Sequence, residues 1–144
     1  DLAKKNNVKI FLPIDVVVSK SFSNNDKQKE VDIQNIPVGW QGLDIGTKTR
    51  KKFSDVVKQS NTILWNGPMG VFEMSSFQNG TKAVANAVAE ATKKGSFSLV
   101  GGGDSVAAVK KFNLKDKMSF ISTGGGAMLE SLEGKVLPGI KALQ

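Results

Sequence analysis

One ordering near the end of this chain constrains its fold more than any other feature: an apolar strand, a glycine-rich turn, then an amphipathic helix. Phe97 to Val100 reads as a buried strand and runs directly into Gly101-Gly102-Gly103-Asp104-Ser105 and a helix through about Lys111. Met118 to Ile121 repeats the unit, followed by Thr123-Gly124-Gly125-Gly126 and a helix from about Ala127 to Leu132. Upstream, Thr62 to Trp65 is a strand, and after a long loop comes the clearest helix, about Thr81 to Lys94. It carries Val84, Ala87, Val88 and Ala91 on one stripe. Lys93 and Lys94 suit the negative end of its dipole, and Gly95 is the expected stop. Strands alternating with helices predict an α/β fold of three layers, with a mostly parallel sheet of about four strands and helices on both faces.

The first third of the chain reads differently. Val8 to Leu12 is a short apolar run closed by Pro13 and is expected to be a strand. Val16 to Val18 and Val31 to Ile33 flank a polar turn around Ser23-Asn24-Asn25-Asp26, the pattern of a small antiparallel hairpin at the domain's edge. Ile36 to Gly46 is punctuated by glycine and proline and reads as a loop. Thr47 can cap a helix running to about Ser60, with Phe53, Val56 and Val57 turned inward.

Composition narrows the chemistry. The 144 residues suffice for one compact domain, and 40% hydrophobic with 23% charged residues is ordinary for a soluble globular chain. No run approaches the roughly 18 apolar residues of a membrane span, and the polar start, Asp1 to Asn7, lacks the apolar core of a secretory signal. A cytoplasmic protein is the expectation. With no cysteine there is no disulfide framework or thiolate metal site, and with no histidine there is no His-based triad. The formal charge of +7 raises a nucleic-acid reading. The lysines are scattered, however, and the densest cluster, Lys48, Arg50, Lys51 and Lys52, reads as a solvated helix face. Neither nucleic acid nor membrane is an expected partner.

Three glycine-bearing loops leave the carboxyl ends of successive strands: Trp65 to Glu73, Gly101 to Ser105 and Ser122 to Ala127. In open α/β sheets that edge is where ligands bind. Glycine lets the backbone approach a ligand closely, and the following helix presents unpaired N–H groups and the positive end of its dipole. A lone triple glycine is as easily a tight turn. Two at strand-to-helix junctions point to phosphate. Asp104 reads either as a helix cap or, beside a phosphate cradle, as a ligand for a divalent cation bridging carboxylate and phosphate. Mg²⁺ is the expected ion, and Ser105 can offer a hydroxyl or an N–H to the same phosphates. Neither GxxxxGKS/T nor GxGxxG is present, and neither triple-glycine loop holds a lysine. If phosphoryl transfer occurs here, its cationic side chains are expected to come from outside this chain.

At these loops the chain resembles phosphoglycerate kinase. Trp65 to Glu73 is similar to that family's WNGPxGVFE segment, Gly101 to Ser105 to its GGGDS/T loop, and Ser122 to Ala127 to its STGGGA loop. Trp40 to Gly46 resembles WxGLDxG, and Leu132 to Gly139 resembles LEGKxLPG. These motifs run in family order over nearly the whole chain. The one departure is Phe120, where the family usually has a histidine (SHxSTGGGA); the mechanism gives that side chain no direct chemical role.

The resemblance implies a Rossmann-like domain and reversible phosphoryl transfer between 1,3-bisphosphoglycerate and ADP, giving 3-phosphoglycerate and MgATP. It implies that Gly42 and Leu43 line the adenine pocket, with Pro68 and Val71 close to the base or ribose. Glu73 would accept from the ribose hydroxyls, and Asn66 would lie beside the phosphates. Gly102, Gly103 and Ser105 would hold phosphates, and Asp104 would ligate Mg²⁺. Gly124, Gly125 and Gly126 would offer N–H groups to the phosphoryl group in flight. Read from residue type alone, Glu73 is equally a solvated loop acid, Trp65 a core residue, and Val71 and Phe72 packing residues. The family's N-terminal lobe, hinge and catalytic arginine have no counterpart here. Residues 1–144 are therefore expected to form a single partial domain, the nucleotide side of a monomeric two-lobed enzyme, inactive alone. A free-standing nucleotide- or phosphate-binding module is the alternative.

Overall fold

The structure, a computed structural model, describes residues 1–143; Gln144 lies outside the described residues. After a one-turn helix α1 (Leu2–Lys5) the chain builds a three-stranded antiparallel sheet from β1 (Asp15–Ser19), β2 (Gln28–Asp32) and β3 (Gln41–Ile45), ordered β2-β1-β3. Next come α2 (Thr47–Lys58), β4 (Thr62–Asn66), α3 (Asn79–Lys93), β5 (Phe97–Gly101), α4 (Gly103–Lys111), β6 (Phe120–Ser122), α5 (Gly125–Leu132) and a short α6 (Pro138–Lys141). Strands β4, β5 and β6 form a parallel sheet in that order. The α/β class, the parallel sheet and the edge hairpin thus stand as the sequence predicts.

Parallel pairing turns the two sides of this sheet to different neighbours. Ile63, Trp65, Val100 and Ile121 share one face, since Trp65 lies beside Val100 and Val100 beside Ile121. That face packs on Val84, Val88 and Ala91 of α3 and Val109 of α4, the main core. Leu64, Leu99 and Gly101 belong to the opposite face, where Met128 of α5 closes over Gly101. The stripe read on α3 is buried throughout, and Gly95 ends the helix at φ +107°. Among the described residues no helix is long and apolar enough to cross a membrane.

Several expectations are corrected. Val8 to Leu12 is not a strand: Val8, Ile10 and Leu12 are exposed, and among the described residues no strand lies beside the run to take up its backbone hydrogen bonds. Gln41 to Ile45, read as loop, is a strand, because β1 is buried at all five positions and is paired along both its edges. The parallel sheet has three strands among the described residues instead of about four. β2 ends at Asp32, and Ile33 begins a tight turn.

Thr47 does not cap α2. Gly46 stands at the cap position, and the cap is supplied from the sheet. The buried carboxylate of Asp15 accepts from the N–H of Lys48 (2.8 Å) and of Thr49 (2.7 Å) and from the Thr49 hydroxyl. The Thr49 oxygen in turn accepts from the N–H of Ile14 (2.9 Å) and Asp15 (3.1 Å). Burial alone would raise the Asp15 carboxyl, but the Thr49 and Lys48 donors outweigh it and hold it below its usual 3.8. The contribution is therefore present above about pH 4 and fades as pH falls through the lower folded value. Asp15→Ala removes the cap, leaving the buried Thr49 N–H without its acceptor and the Thr49 hydroxyl with only the Asp15 carbonyl to donate to. It should cost about 2–4 kcal/mol of unfolding free energy in urea titrations at pH 7; a loss below about 0.5 kcal/mol would contradict this role.

Candidate nucleotide-binding edge

The three glycine loops converge at the carboxyl edge of the parallel sheet. β5 ends at Gly101, and Gly102, at φ +87°, turns the chain into α4; a side chain there would be strained and would meet the Asn66 carboxamide oxygen. Gly125 opens α5, and a Cβ on it would sit 2.6 Å from the Cα and N of Gly102. Two helix N-termini are thus pressed together, glycine against glycine. Gly103 and Asp104 in one and Gly124 and Gly126 in the other are exposed. The first main-chain bonds back to these turns are Val106 N–H to Gly102 and Met128 N–H to Gly124, so the N–H groups ahead of Val106 in α4 and of Met128 in α5 have no intrahelical acceptor. This is an anion-binding geometry made from backbone alone.

The Trp65–Glu73 loop joins this edge to a second feature. Trp65 is buried in the core and its indole N–H donates to the Gly67 carbonyl (2.7 Å). Asn66, at the end of β4, lies beside Gly102. The Gly67 N–H donates to the Ser105 hydroxyl (2.7 Å), and Ser105 is fully buried. The Ser105 hydroxyl therefore helps to hold the loop as an acceptor, and both its O–H and the Ser105 N–H remain donors. Farther along, Pro68 and Val71 share with Gly42 and Leu43 the lining of a cavity of about 300 Å³, to which Asp15, Val16, Asp44 and Ile45 also belong. Val71 is fixed there by its N–H to the Leu43 carbonyl (2.8 Å), while Phe72 is packing and Glu73 is exposed.

Asp44, which residue type alone did not single out, belongs to the lining of this cavity and is buried. Its carboxylate accepts from the Gly80 N–H at the start of α3 (2.7 Å) and from the Ile45 N–H (2.9 Å). A Cβ on Gly70 or on Gly80 would overlap it, so glycine at both positions lets the loop and α3 close around one acid. Burial pushes the carboxyl up from 3.8 to about 6, against the pull of the Gly80, Ile45 and Asn79 N–H groups and of Arg50.

Among the described residues there is no cluster of three or more acidic, His or Cys ligands. Asp104 is a lone exposed carboxylate in the first turn of α4, without an ion pair among the described residues. Its hard oxygens suit Mg²⁺ if phosphate oxygens and water complete the shell.

The structure thus defines an open α/β domain with paired helix N-termini at the carboxyl edge of its parallel sheet. The phosphoglycerate kinase family model matches residues 1–135. Phosphoglycerate kinase from Coxiella burnetii is similar at 46% identity and a TM-score of 0.90, over 97% of this chain and 35% of that one. Phosphoglycerate kinase from Pyrococcus horikoshii OT3 is similar at 34% identity and a TM-score of 0.81, over 99% of this chain and 34% of that one. The chain belongs to the phosphoglycerate kinase family, and it spans about a third of the length of these solved relatives.

Asp44 gives a test by pH. The folded chain keeps this proton up to about pH 6, where the unfolded chain has lost it near 3.8. Ionisation therefore costs stability as pH rises from about 4 to 6, with the full cost above that window. Relative to an Asp44→Asn variant, the parent should lose on the order of 1–3 kcal/mol across the window. A stability difference that stays constant with pH would contradict the assignment.

Proposed function

We propose that this chain is the magnesium-nucleotide side of a glycolytic phosphoglycerate kinase. The proposed reaction is reversible phosphoryl transfer between 1,3-bisphosphoglycerate and ADP, giving 3-phosphoglycerate and ATP. One observation carries the reading most directly: the N-termini of α4 and α5 meet through Gly102 and Gly125, beside the loop that walls the cavity of Gly42, Leu43, Pro68 and Val71. That cavity is mainly apolar, with Asp15 and Asp44 also in its lining, and of a size for a purine base; the exposed Glu73 at the loop's far end is available to ribose hydroxyls.

In this reading the base lies between Gly42-Leu43 and Pro68-Val71, and Asn66, Gly102, Gly103 and the Ser105 N–H take the phosphates. Asp104 would hold Mg²⁺, which when bound offsets phosphate charge and ties the carboxylate to the nucleotide. The first-turn N–H groups around Gly124, Gly125 and Gly126 donate to the transferred group. Charge on its oxygens peaks in the transition state, so donors fixed there lower the barrier. No lysine or arginine lies within either glycine loop. The acyl-phosphate substrate and the cationic side chains are assigned to the other lobe of the whole, cytoplasmic enzyme, and the chain alone is expected to be a weak binder without turnover.

Calorimetric titration of the chain with ADP, with and without Mg²⁺, tests this. Mg²⁺ should tighten binding about tenfold, equal to about 1.4 kcal/mol, and Asp104→Ala should abolish the difference while leaving metal-free binding nearly unchanged. The same Mg²⁺ response in the variant would remove Asp104 from the metal site. Measurable phosphoryl transfer by the chain alone would overturn the division of labour.

A further inference from the structure

The loop bearing Glu73 has no regular structure after β4, and Glu73 itself is exposed and forms no ion pair among the described residues. A ribose contact needs that backbone held in place. The holding group is Lys111, the last residue of α4. Its ammonium donates to the Phe72 carbonyl (2.6 Å) and to the Glu73 carbonyl (3.1 Å), and lies 6.0 Å from the centroid of the buried Phe72 ring. At the opposite end of the same helix, the buried Ser105 hydroxyl accepts the Gly67 N–H (2.7 Å). The loop is therefore tied near its start and at its end to the first and last turns of one helix, through Ser105 and Lys111, which stand about 9 Å apart along its axis. A charged donor shared by two carbonyls is stronger than a neutral one, and an ammonium suits a helix C-terminus.

We infer that Lys111 is a positioning residue that sets Glu73 for the nucleotide ribose, so that α4 presents its N-terminus to the phosphates while its C-terminus aligns the ribose loop. The inference rests on the nucleotide reading above. Lys111 touches no nucleotide atom in this account; it acts only through the Phe72 and Glu73 carbonyls.

Two measurements on the full 144-residue chain test it. The first is amide hydrogen exchange without ligand. Val71, Phe72 and Met74 donate within the loop or to Leu43, and Lys111→Met should speed their exchange about five- to tenfold while leaving β5 amides unchanged. The second compares binding of Mg·ADP with that of Mg·2′,3′-dideoxy-ADP. The parent should prefer ADP by about fivefold, an ordinary hydrogen-bond contribution. Lys111→Met and Glu73→Ala should each erase that preference without weakening the dideoxy nucleotide, their combination should lose no more than either alone, and Lys111→Arg should retain it.

Unchanged exchange in Lys111→Met overturns the inference, whatever the ligand data show. Faster exchange with the preference retained, or with both nucleotides weakened equally, also overturns it by reducing Lys111 to general stability. Equal binding of the two nucleotides by the parent sinks the ribose reading of Glu73 and the Lys111 role with it, and that result is recognised before any substitution is made.

Discussion

Two buried carboxylates, Asp15 and Asp44, bind the halves of this structure together. They stand on the central strand of the antiparallel sheet, β1, and on its neighbour β3, and each reaches into the N-terminus of a different helix: Asp15 into α2 and Asp44 into α3. Both use the same physics. A helix start offers N–H groups with no intrahelical partner, and a carboxylate is the acceptor its dipole favours. The environments then separate the two acids. Asp15 gains a hydroxyl and two N–H donors and is held low, whereas burial dominates at Asp44 and raises it. Because α3 also covers the core face of the parallel sheet, Asp44 fixes the antiparallel sheet, and the cavity on it, relative to the paired helix N-termini.

The candidate site is built largely from backbone. Its anion-facing groups are N–H donors at two helix starts, brought together where glycine allows one turn to rest on another. Such donors are already oriented and need not reorganise as charge develops, which favours discrimination between ground and transition states. What they lack is full positive charge, and no lysine or arginine of the glycine loops supplies it. Helix α4 belongs to both parts of the arrangement. Its first turn lies at the proposed phosphate site, and its first and last turns hold the loop that borders the cavity proposed for the base.

Much of this was legible in the residues. The triple glycines, placed between short apolar runs and helical stripes, locate both helix starts, because few other sequences allow a strand to turn so directly into a helix. The α3 stripe is legible for the same reason: its periodicity is local. What escaped was long-range. Gln41 to Ile45 looks like loop because glycine punctuates it, and only pairing with β1 makes it a strand. Val8 to Leu12 has the composition of a strand but no neighbour among the described residues to pair with. Asp44 resembles any acid in a glycine-punctuated stretch until Gly80, 36 residues later, folds onto it. Lys111 carried no sequence signal, since its acceptors are main-chain carbonyls 38 and 39 residues away.

The most direct measurement is a crystal structure of this chain grown with ADP and Mg²⁺. The account predicts the base between Gly42-Leu43 and Pro68-Val71, the diphosphate at the first turn of α4, and the metal shared between Asp104 and phosphate oxygens. A nucleotide bound elsewhere, or one whose phosphates point away from Gly102 and Gly125, would contradict it.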